Sequence, residues 1–250
     1  MRSRILEAAA RAIAAHGFHG MSMRELARAA GMSLSNLYNY FASKDEILHA
    51  LQKEAFEVLV GSAEGALAEL DAAAGPESRL YVFVSHHVRY VAERPEVMRV
   101  LVHEAASLPP ARRRSVRRLK ERYFRLARGI VADIVAGGCG RAVPLAGVPA
   151  AAATNGRPSG PTSGQAELDR ITYNLFGMLN WIYGWYEPPR HGTPAELART
   201  IHRIALCGIV GQCPYREDRD LQESLDHLVA SLDSPPLLGA TAGGAGGGHP

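Results

Sequence analysis

The residues best suited to recognition chemistry in this sequence are short polar side chains that follow a glycine. Ser35, Asn36, Asn39 and Tyr40 lie in a stretch where apolar residues recur at helical spacing. An asparagine amide can pair with adenine, and a serine hydroxyl can bond to several bases. A short exposed helix that displays such side chains fits the major groove of DNA, so the pattern predicts a helix that contacts base edges.

Local signals predict where this helix begins and ends. Gly31 is expected to end the preceding helix, because glycine adopts the left-handed conformation without a Cβ penalty. Ser33 is a good N-cap for the next helix. Ser43 is expected to cap a further helix, with Glu46 at the capping-box position. The predicted buried face of the short helix consists of Leu34, Leu37, Tyr38 and Phe41.

Two helices are predicted before this stretch. The first covers residues 2–16, where apolar residues line one face, and Gly17 is expected to end it. Ser22 is a natural N-cap for the second, with Glu25 as its capping-box partner. Three helices, the last two joined by a short turn that contains glycine, match the helix-turn-helix plan.

These residues resemble the DNA-binding domain of the TetR family of bacterial transcriptional regulators. The resemblance extends from Ile5 to Leu48 and depends on several motifs in the same order and spacing. They are His16-Gly-Phe, Met21-Ser-Met-Arg-Glu-Leu-Ala-Arg-Ala-Ala-Gly-Met-Ser33, Leu37-Tyr-Asn-Tyr-Phe41 and Ser43-Lys-Asp-Glu-Ile-Leu48. One departure is Leu34, where the family often has lysine, proline or a small polar residue.

The resemblance implies which side chains contact DNA. Ser35, Asn36 and Tyr40 would approach base edges, whereas Ser22, Tyr38 and Lys44 would bind phosphates, which sets register. The full set of expected DNA-binding residues is Ser22, Met23, Arg24, Ser33, Leu34, Ser35, Asn36, Tyr38, Asn39, Tyr40 and Lys44. For Arg24, a solvated surface position is an equally good interpretation.

Composition favours a folded, cytoplasmic protein. Hydrophobic residues make up 47% of the 250 positions, which is enough to fill a core, and the formal net charge of +3 is only mildly basic. Three cysteines without metal-type spacing suggest reduced thiols. We find no apolar signal core and no stretch long enough to span a bilayer, so a soluble cytoplasmic protein without membrane contacts is expected.

The rest of the chain is expected to be helical as well. Predicted helices cover residues 43–73, 77–93, 96–107, 110–136, 165–187 and 193–211, with a weaker one at 217–232. Residues 137–164 have no periodicity and predict a flexible loop, and the glycine-rich tail at 234–250 predicts disorder. The predicted domains are a helix-turn-helix domain at 1–47, a helical regulatory and dimerisation domain at 48–215, and a weak helix with a tail at 216–250.

A run of basic residues marks the predicted helix at 110–136. It comprises Arg112, Arg113, Arg114, Arg117, Arg118, Lys120, Arg122, Arg125 and Arg128. The run could be an anion site, or it could be the solvated face of a helix whose other face packs inside, as Val116, Leu119, Tyr123, Leu126 and Ile130 suggest. We favour the solvated face.

Two tryptophans four residues apart, Trp181 and Trp185, predict a shared helix face. With Asn180 they could form a selective pocket wall, or they could serve core or dimer packing. This stretch also resembles the matching helix of acyl-CoA-responsive TetR-family repressors, which would make a fatty acid or acyl-CoA the ligand. The candidate ligand-binding residues are Phe56, Tyr81, Phe83, His87, Tyr90, Met98, Leu101, Tyr123, Met178, Asn180 and Trp181.

Catalysis and metal binding find little support in the sequence. His86 and His87 are adjacent and would point to different sides of a helix, so they do not suit one ion. Ser85 has no elbow motif and no orienting carboxylate. No catalytic residue, metal ligand or cofactor is therefore expected.

The sequence as a whole predicts an all-α protein: an N-terminal helix-turn-helix domain followed by a larger helical ligand-binding and dimerisation domain. The expected function is that of a homodimeric repressor which binds a palindromic operator and is released by a small apolar or amphipathic ligand. The resemblance places the dimer interface on the helices at 165–187 and 193–211. Close approach there would involve Gly177, Gly184, Ala198, Ala205 and Gly208.

Two other interpretations remain open. The larger domain could only dimerise, without a ligand, in which case it would have no cavity. The chain could also be an enzyme fused to a DNA-binding module, in which case an acid–base pair with shifted pKa values would lie in a cleft.

Overall fold

Every regular element that the computed structural model describes, in residues 1–137 and 163–210, is helical, which confirms the all-α prediction. The longer helices are α1 (Arg2–Gly20), α2 (Met23–Ala29), α3 (Leu34–Tyr40), α4 (Lys44–Ala68), α5 (Pro76–Glu93), α6 (Pro95–His103), α7 (Pro110–Gly137) and α8 (Ser163–Asn180). A 3₁₀ helix (Ile182–Gly184), the one-turn α9 (Pro188–His191) and α10 (Pro194–Val210) follow. Apart from its ends, the predicted loop at 137–164 lies outside the described residues, as do the predicted helix at 217–232 and the tail.

Gly17 redirects the chain within α1. Its φ of 71° and ψ of 162° are not helical, so the helix is interrupted there, and one further turn continues to Gly20. A φ of this sign costs little only for glycine. The interruption places Phe18 in the interior, where 2% of its surface is exposed. The prediction that the helix stops at residue 16 misses this last turn.

Two predicted helix ends are too late, each because of a competing hydrogen bond. The end of α4 was predicted at residue 73, but the Asp71 carboxylate accepts a hydrogen bond from the backbone N–H of Ala73 (2.8 Å) in a separate turn. The helix predicted at 96–107 ends at His103, where the side chain of Glu104 accepts hydrogen bonds from the Phe18 backbone and the Ser107 hydroxyl.

The predicted helix at 165–187 is in fact three elements. α8 ends at Asn180, and a 3₁₀ turn and then α9 replace the rest. Aromatic residues and Gly184 follow Asn180 closely, and both have lower helix propensity than alanine or leucine. A hydrogen bond of 2.6 Å between the Tyr183 hydroxyl and His103 Nε2 also fixes this segment against the end of α6.

Two clusters of buried side chains stabilise the structure. The N-terminal cluster is formed by α1, α2, α3 and the first half of α4, and it also includes Val100, Leu108 and Val116. The second cluster is formed by the second half of α4 together with α5, α7, α8 and α10. Phe56 and Val97 pack against both clusters. The helix-turn-helix part is therefore continuous with the helical part through α4, α6 and the start of α7.

Candidate nucleic-acid interface and helical-domain pocket

The first helix of the helix-turn-helix pair begins with a complete capping box. The Ser22 hydroxyl accepts a hydrogen bond from the backbone N–H of Glu25 (3.2 Å), and the Glu25 carboxylate accepts one from the Ser22 backbone (3.2 Å). The Ser22 hydroxyl also donates to this carboxylate, at 2.7 Å. These hydrogen bonds lower the pKa of Glu25. The predicted cap is confirmed, and it fixes the start of α2.

The turn before α3 has the predicted conformation. Gly31 has a φ of 68°, in the left-handed region, and the backbone N–H of Met32 bonds to the Ala27 carbonyl at 2.9 Å. The Ser33 hydroxyl then accepts a hydrogen bond from the backbone N–H of Asn36, at 3.2 Å. α3 therefore begins at a fixed angle to α2.

Two fully buried side chains, Leu37 and Phe41, hold α3 against the N-terminal cluster. Leu34 is only half-buried, and Tyr38, which we expected on the buried face, is 49% exposed. A helix of two turns has room for one inward-facing stripe, and Leu37 and Phe41 occupy it. Tyr38 therefore belongs to the outer surface of α3.

The polar side chains of α3 lie on its outer surface. Ser35 and Asn39 are exposed, Tyr40 is 41% exposed, and Asn36 is half-buried at the start of the helix. Ser22, Arg24 and Ser33 are exposed nearby in sequence, and Met23 packs partly against the N-terminal cluster. An outer surface of hydroxyl, amide and phenol groups can bond to base edges and phosphates.

Lys44, a predicted phosphate contact, has protein partners. Its ammonium group donates to the backbone carbonyls of Phe18 (3.4 Å) and His19 (3.3 Å). It also lies 4.9 Å from the centre of the Phe18 ring. An ammonium group has three donors, so one remains for a phosphate. The Ser43 hydroxyl caps α4 as predicted, but the Glu46 carboxylate accepts from the Ala42 backbone instead of completing the box at Ser43.

A contact that the sequence did not indicate links the helical part to the turn between α1 and α2. The Glu104 carboxylate accepts a hydrogen bond of 3.0 Å from the backbone N–H of Phe18. The Glu104 backbone carbonyl accepts one of 2.9 Å from the side chain of Gln52, which is 2% exposed. The one available signal was Gly17, since a break in a helix leaves an N–H group that needs an acceptor.

Polar side chains also lie inside the second cluster. His87 is 1% exposed, and its Nδ1 forms a hydrogen bond of 3.1 Å with the Tyr123 hydroxyl. Phe83 and Phe176 pack around this pair. Burial lowers the pKa of His87 to about 4 and raises that of Tyr123. Among the described residues, His87 Nε2 and the Tyr90 hydroxyl are buried without a hydrogen-bond partner.

The structure brings several of the expected ligand-binding residues together, but not all. Phe83, His87, Tyr90, Met98, Leu101 and Tyr123 are buried members or neighbours of the second cluster; Phe56, Tyr81, Met178 and Asn180 are half-buried. Trp181 is 60% exposed and lies beyond the end of α8, so the prediction that Trp181 and Trp185 share a helix face is wrong.

The open cleft of the described residues lies elsewhere, between α1, α4, α5 and α6, with a volume of about 380 Å³. Tyr90 is the one expected ligand-binding residue that lines it. The other lining residues are Ser3, Leu6, Glu7, Ala10, Arg11, Leu51, Glu54, Ala55, Val58, Glu93, Arg94, Glu96 and Val97. Sequence reasoning missed this cleft because its walls come from segments far apart in the chain.

The basic run on α7 is mainly a solvated helix face. Val116, Tyr123 and Ile130 are buried on the inner side, as the favoured interpretation predicted. On the outer side, Arg122 forms a bidentate ion pair with Glu64 (2.8 and 2.6 Å), and Arg128 pairs with Asp169. Other arginines of the run remain exposed.

The helices expected to form a dimer interface expose large apolar side chains. Tyr173 is 66% exposed, and Ile204 of α10 is 55% exposed. Gly177, Gly184 and Gly208 are not buried either. Ala198 and Ala205, which we also expected at the interface, are 1% and 6% exposed and pack in the second cluster of their own chain. Their placement at an interface was wrong, because they lie on the inner face of α10.

Metal and membrane features are absent from the described residues. In residues 1–137 and 163–210, no three histidine, cysteine, aspartate or glutamate side chains are grouped so as to hold a metal ion. No helix in the same ranges is long and apolar enough to cross a membrane.

Comparison with family models gives matches in both parts of the chain. The model of bacterial regulatory proteins of the tetR family matches residues 5–51. The model of the tetracyclin repressor-like C-terminal domain matches residues 73–154. Together the two models span more than half of the sequence. No curated protein matches the chain.

Solved structures of regulators have the same fold. PfmR from Thermus thermophilus, a TetR-family transcriptional regulator, is 28% identical with a TM-score of 0.64, over 81% of this chain and 97% of that one. A TetR-family regulator from Bordetella parapertussis 12822 is 21% identical with a TM-score of 0.67, over 82% and 93%. AibR in complex with isovaleryl coenzyme A and operator DNA is 22% identical with a TM-score of 0.63, over 82% and 97%.

Proposed function

Because the chain belongs to the TetR family of bacterial regulatory proteins, we propose that it is a homodimeric transcriptional repressor whose operator affinity falls when a small ligand binds. One observation supports this most directly. α3 is fixed by a capped turn and by buried Leu37 and Phe41, and its outer surface presents short polar side chains. A rigid helix with such a surface is suited to the major groove.

The proposed division of roles on DNA follows from side-chain chemistry. Ser35, Asn36 and Tyr40 contact base edges, because their hydroxyl and amide groups can match donor and acceptor patterns in the major groove. Ser22 and Tyr38 bind phosphates, which sets register. Lys44 adds one ammonium proton to a phosphate while its other donors keep the α1–α2 turn in place.

A single α3 contacts too few bases for selectivity, so the proposal requires a dimer on a palindrome. The exposed Tyr173 and Ile204, together with Gly177 and Gly208, support an interface on α8 and α10. Burial of large apolar side chains between protomers is favourable, and glycines permit close helix approach. Two α3 helices would then lie roughly 34–36 Å apart, one turn of DNA.

Ligand control requires two conformations that the ligand binds with different affinity. The proposed site is the interior of the helical part around His87 and Tyr123, where a polar pair lies among aromatic side chains. The contact between Glu104 and Phe18 supports a route to the DNA-binding part, because it joins the end of α6 to the turn between α1 and α2. A shift of α6 would change the position of that turn and of α3.

DNA selection tests the main proposal. The protein would be incubated with a random pool of duplexes, and the bound DNA would be sequenced. We expect enrichment of a palindrome whose half-sites are about one helical turn apart. Enrichment of no palindrome by the wild-type protein would overturn the proposal.

A double variant places the contacts on α3. S35A combined with N36A should lose the enrichment, because both side chains lie on the outer surface and neither is needed for packing. Asn174→Ala on α8, an exposed amide outside the DNA-binding part, serves as the matched control and should retain it. If both proteins enriched the same palindrome, α3 would not be the reading element.

Fatty acyl-CoAs are the first ligands to test. AibR was solved with isovaleryl coenzyme A, and the interior of the helical part is apolar and aromatic. Thermal stabilisation would be measured across a series of acyl chain lengths, with free coenzyme A as the control. A shift that grows with chain length supports an acyl-CoA effector, and no shift at any length excludes this class.

A further inference from the structure

The cleft between α1 and the helical part has walls from both clusters. α1 contributes Ser3, Leu6, Glu7, Ala10 and Arg11; the opposite walls come from α4, α5 and the start of α6. Its volume of about 380 Å³ lies within the usual range for small-molecule sites. The cleft is separate from the His87–Tyr123 pair proposed above as the effector site.

The floor of the cleft is apolar. Leu6, Leu51 and Ala55 are buried with 4% to 5% of their surface exposed, and Val58 at the side is 39% exposed. An apolar ligand body that covers these side chains removes hydrocarbon surface from water on both partners, which is favourable by roughly 25 cal/mol per Å². The floor therefore selects for a ligand with an apolar segment.

The rim of the cleft is acidic. Four carboxylates line it, from Glu7, Glu54, Glu93 and Glu96, against the two guanidinium groups of Arg11 and Arg94. Glu54 pairs with Arg2 at 2.9 Å, but among the described residues the other three carboxylates form no ion pair. The excess of carboxylates favours a cation over an anion at this rim.

Tyr90 adds a buried polar group at the same place. The residue lines the cleft and is 7% exposed, and its hydroxyl oxygen is buried with no hydrogen-bond partner among the described residues. The Arg94 guanidinium lies 5.3 Å from the centre of the Tyr90 ring. Burial raises the pKa of Tyr90, while Arg94 lowers it and Glu54 raises it, so the hydroxyl lies near both of these cleft residues.

A buried hydroxyl without a partner is costly, so such a group marks a position that a ligand donor can satisfy. A phenol oxygen accepts from an N–H group, and carboxylates accept from the same kind of donor. Quaternary ammonium ions have no N–H donor. Primary amines and amidines combine N–H donors with positive charge.

From the apolar floor, the acidic rim and the unpartnered Tyr90 hydroxyl, we propose that this cleft binds an amphipathic primary amine or amidine. The cationic head lies between the Tyr90 hydroxyl and the Glu54 carboxylate. The apolar segment covers Leu51, Ala55 and Val58. Any effect of this ligand on DNA binding rests on the proposed function, whereas the binding itself does not.

Three probes of nearly equal shape test the charge requirement: 4-phenylbutylamine, 4-phenylbutanol and 4-phenylbutyrate. Their binding to the full-length protein would be measured by calorimetry without DNA. We expect the amine to bind and the other two to bind at least about 10-fold more weakly, because only the amine offers charge-assisted donors. Equal binding of the alcohol or the carboxylate would overturn the proposal.

Two variants locate the amine. Tyr90→Phe removes the unpartnered hydroxyl and should leave the melting temperature unchanged or higher while weakening the amine several-fold. Glu54→Gln should weaken it by roughly 5-fold, since the rim is partly solvated. Glu57→Gln is the matched control, because Glu57 lies on the same helix outside the cleft, paired with Lys53.

If the amine bound Tyr90→Phe and Glu54→Gln as tightly as wild type, the site would be elsewhere and the inference would be wrong. Because no DNA is present, this result is independent of the DNA selection. Failure to enrich a palindrome would remove the proposed function and leave the amine site standing.

Discussion

The Glu104 carboxylate at the end of α6 accepts a hydrogen bond from the backbone N–H of Phe18, with 3.0 Å between Oε1 and N. The two residues are 86 positions apart in sequence. Phe18 directly follows Gly17, whose φ of 71° interrupts α1 and leaves this N–H without a helical acceptor. The hydrogen bond therefore satisfies the break in α1 and joins it to the helical part.

Removal of this acceptor should weaken both stability and coupling. Glu104→Ala is expected to lower the free energy of unfolding by about 1–2 kcal/mol, because the Phe18 N–H then loses a charged partner. Urea denaturation would measure the change. Glu104→Gln retains an acceptor oxygen and serves as the control, with a smaller loss. Equal stability of all three proteins would show that solvent replaces this contact without cost.

The features that the sequence predicted correctly depend on neighbours in the chain. The capping boxes at Ser22–Glu25 and Thr193–Glu196 each involve residues three positions apart, and both are present in full. The turn at Gly31 similarly requires only a left-handed residue after a helix. Helix caps and glycine turns are set by local backbone chemistry, so a single sequence is sufficient to predict them.

The features that the sequence did not predict depend on distant contacts. The end of α6 is fixed by Phe18, and the cleft has walls from α1 and from α4 to α6. Tyr38 was expected inside because its spacing from Leu34 is helical, yet Leu37 and Phe41 fill the interior. Periodicity identifies apolar positions on a helix, but the partner elements decide which of them are buried.

Gly31 and Gly61 offer opposite outcomes for the same substitution. Gly31→Ala should destabilise the protein by roughly 1–2 kcal/mol, because alanine is strained at a φ of 68°. Gly61→Ala should stabilise it by roughly 0.5–1 kcal/mol, since Gly61 lies within α4 and a Cβ there meets nothing within 4 Å. Thermal melting of the two variants beside wild type measures both effects. A stabilising Gly31→Ala would contradict the assigned turn.

The buried His87 should make stability depend on pH. Its pKa is lowered from 6.5 to about 4 in the folded protein, so the unfolded chain binds more protons between these values. The free energy of unfolding should therefore be highest above pH 6.5 and fall by about 3 kcal/mol towards pH 4.

His87→Gln, which stays neutral over this range, should flatten that part of the profile. His86 and His49 also have lowered pKa values because of burial, so a smaller slope should remain. Chemical denaturation at a series of pH values provides the measurement. A profile as steep as that of wild type would mean that His87 is not the main titrating group.

The proposed interface on α8 and α10 can be tested with one charge. Ile204→Arg places a cation on an apolar side chain that is 55% exposed, and it should convert the dimer to a monomer because an unpaired buried charge is costly. Val135→Arg on α7, at a side chain 48% exposed, is the control and should remain dimeric. Analytical ultracentrifugation distinguishes the states, and a dimeric Ile204→Arg would move the interface elsewhere.

Tyr40 and Lys44 should affect DNA binding in different ways. Tyr40 is 41% exposed on the outer surface of α3 and has no structural partner among the described residues, so Tyr40→Ala should reduce the preference for the operator over unrelated DNA. Lys44→Ala should weaken binding to all sequences and reduce its salt dependence, because a phosphate contact contributes little sequence information.

The protein contacts of Lys44 add a second effect that separates the two variants further. Its ammonium group bonds to the carbonyls of Phe18 and His19 and lies over the Phe18 ring, so Lys44→Ala should also lower the melting temperature. Tyr40→Phe keeps the ring and loses only the hydroxyl, which isolates the hydrogen bond to DNA. Titration of operator and random duplexes at several salt concentrations provides the measurement, and an equal loss of selectivity in both alanine variants would refute this division of roles.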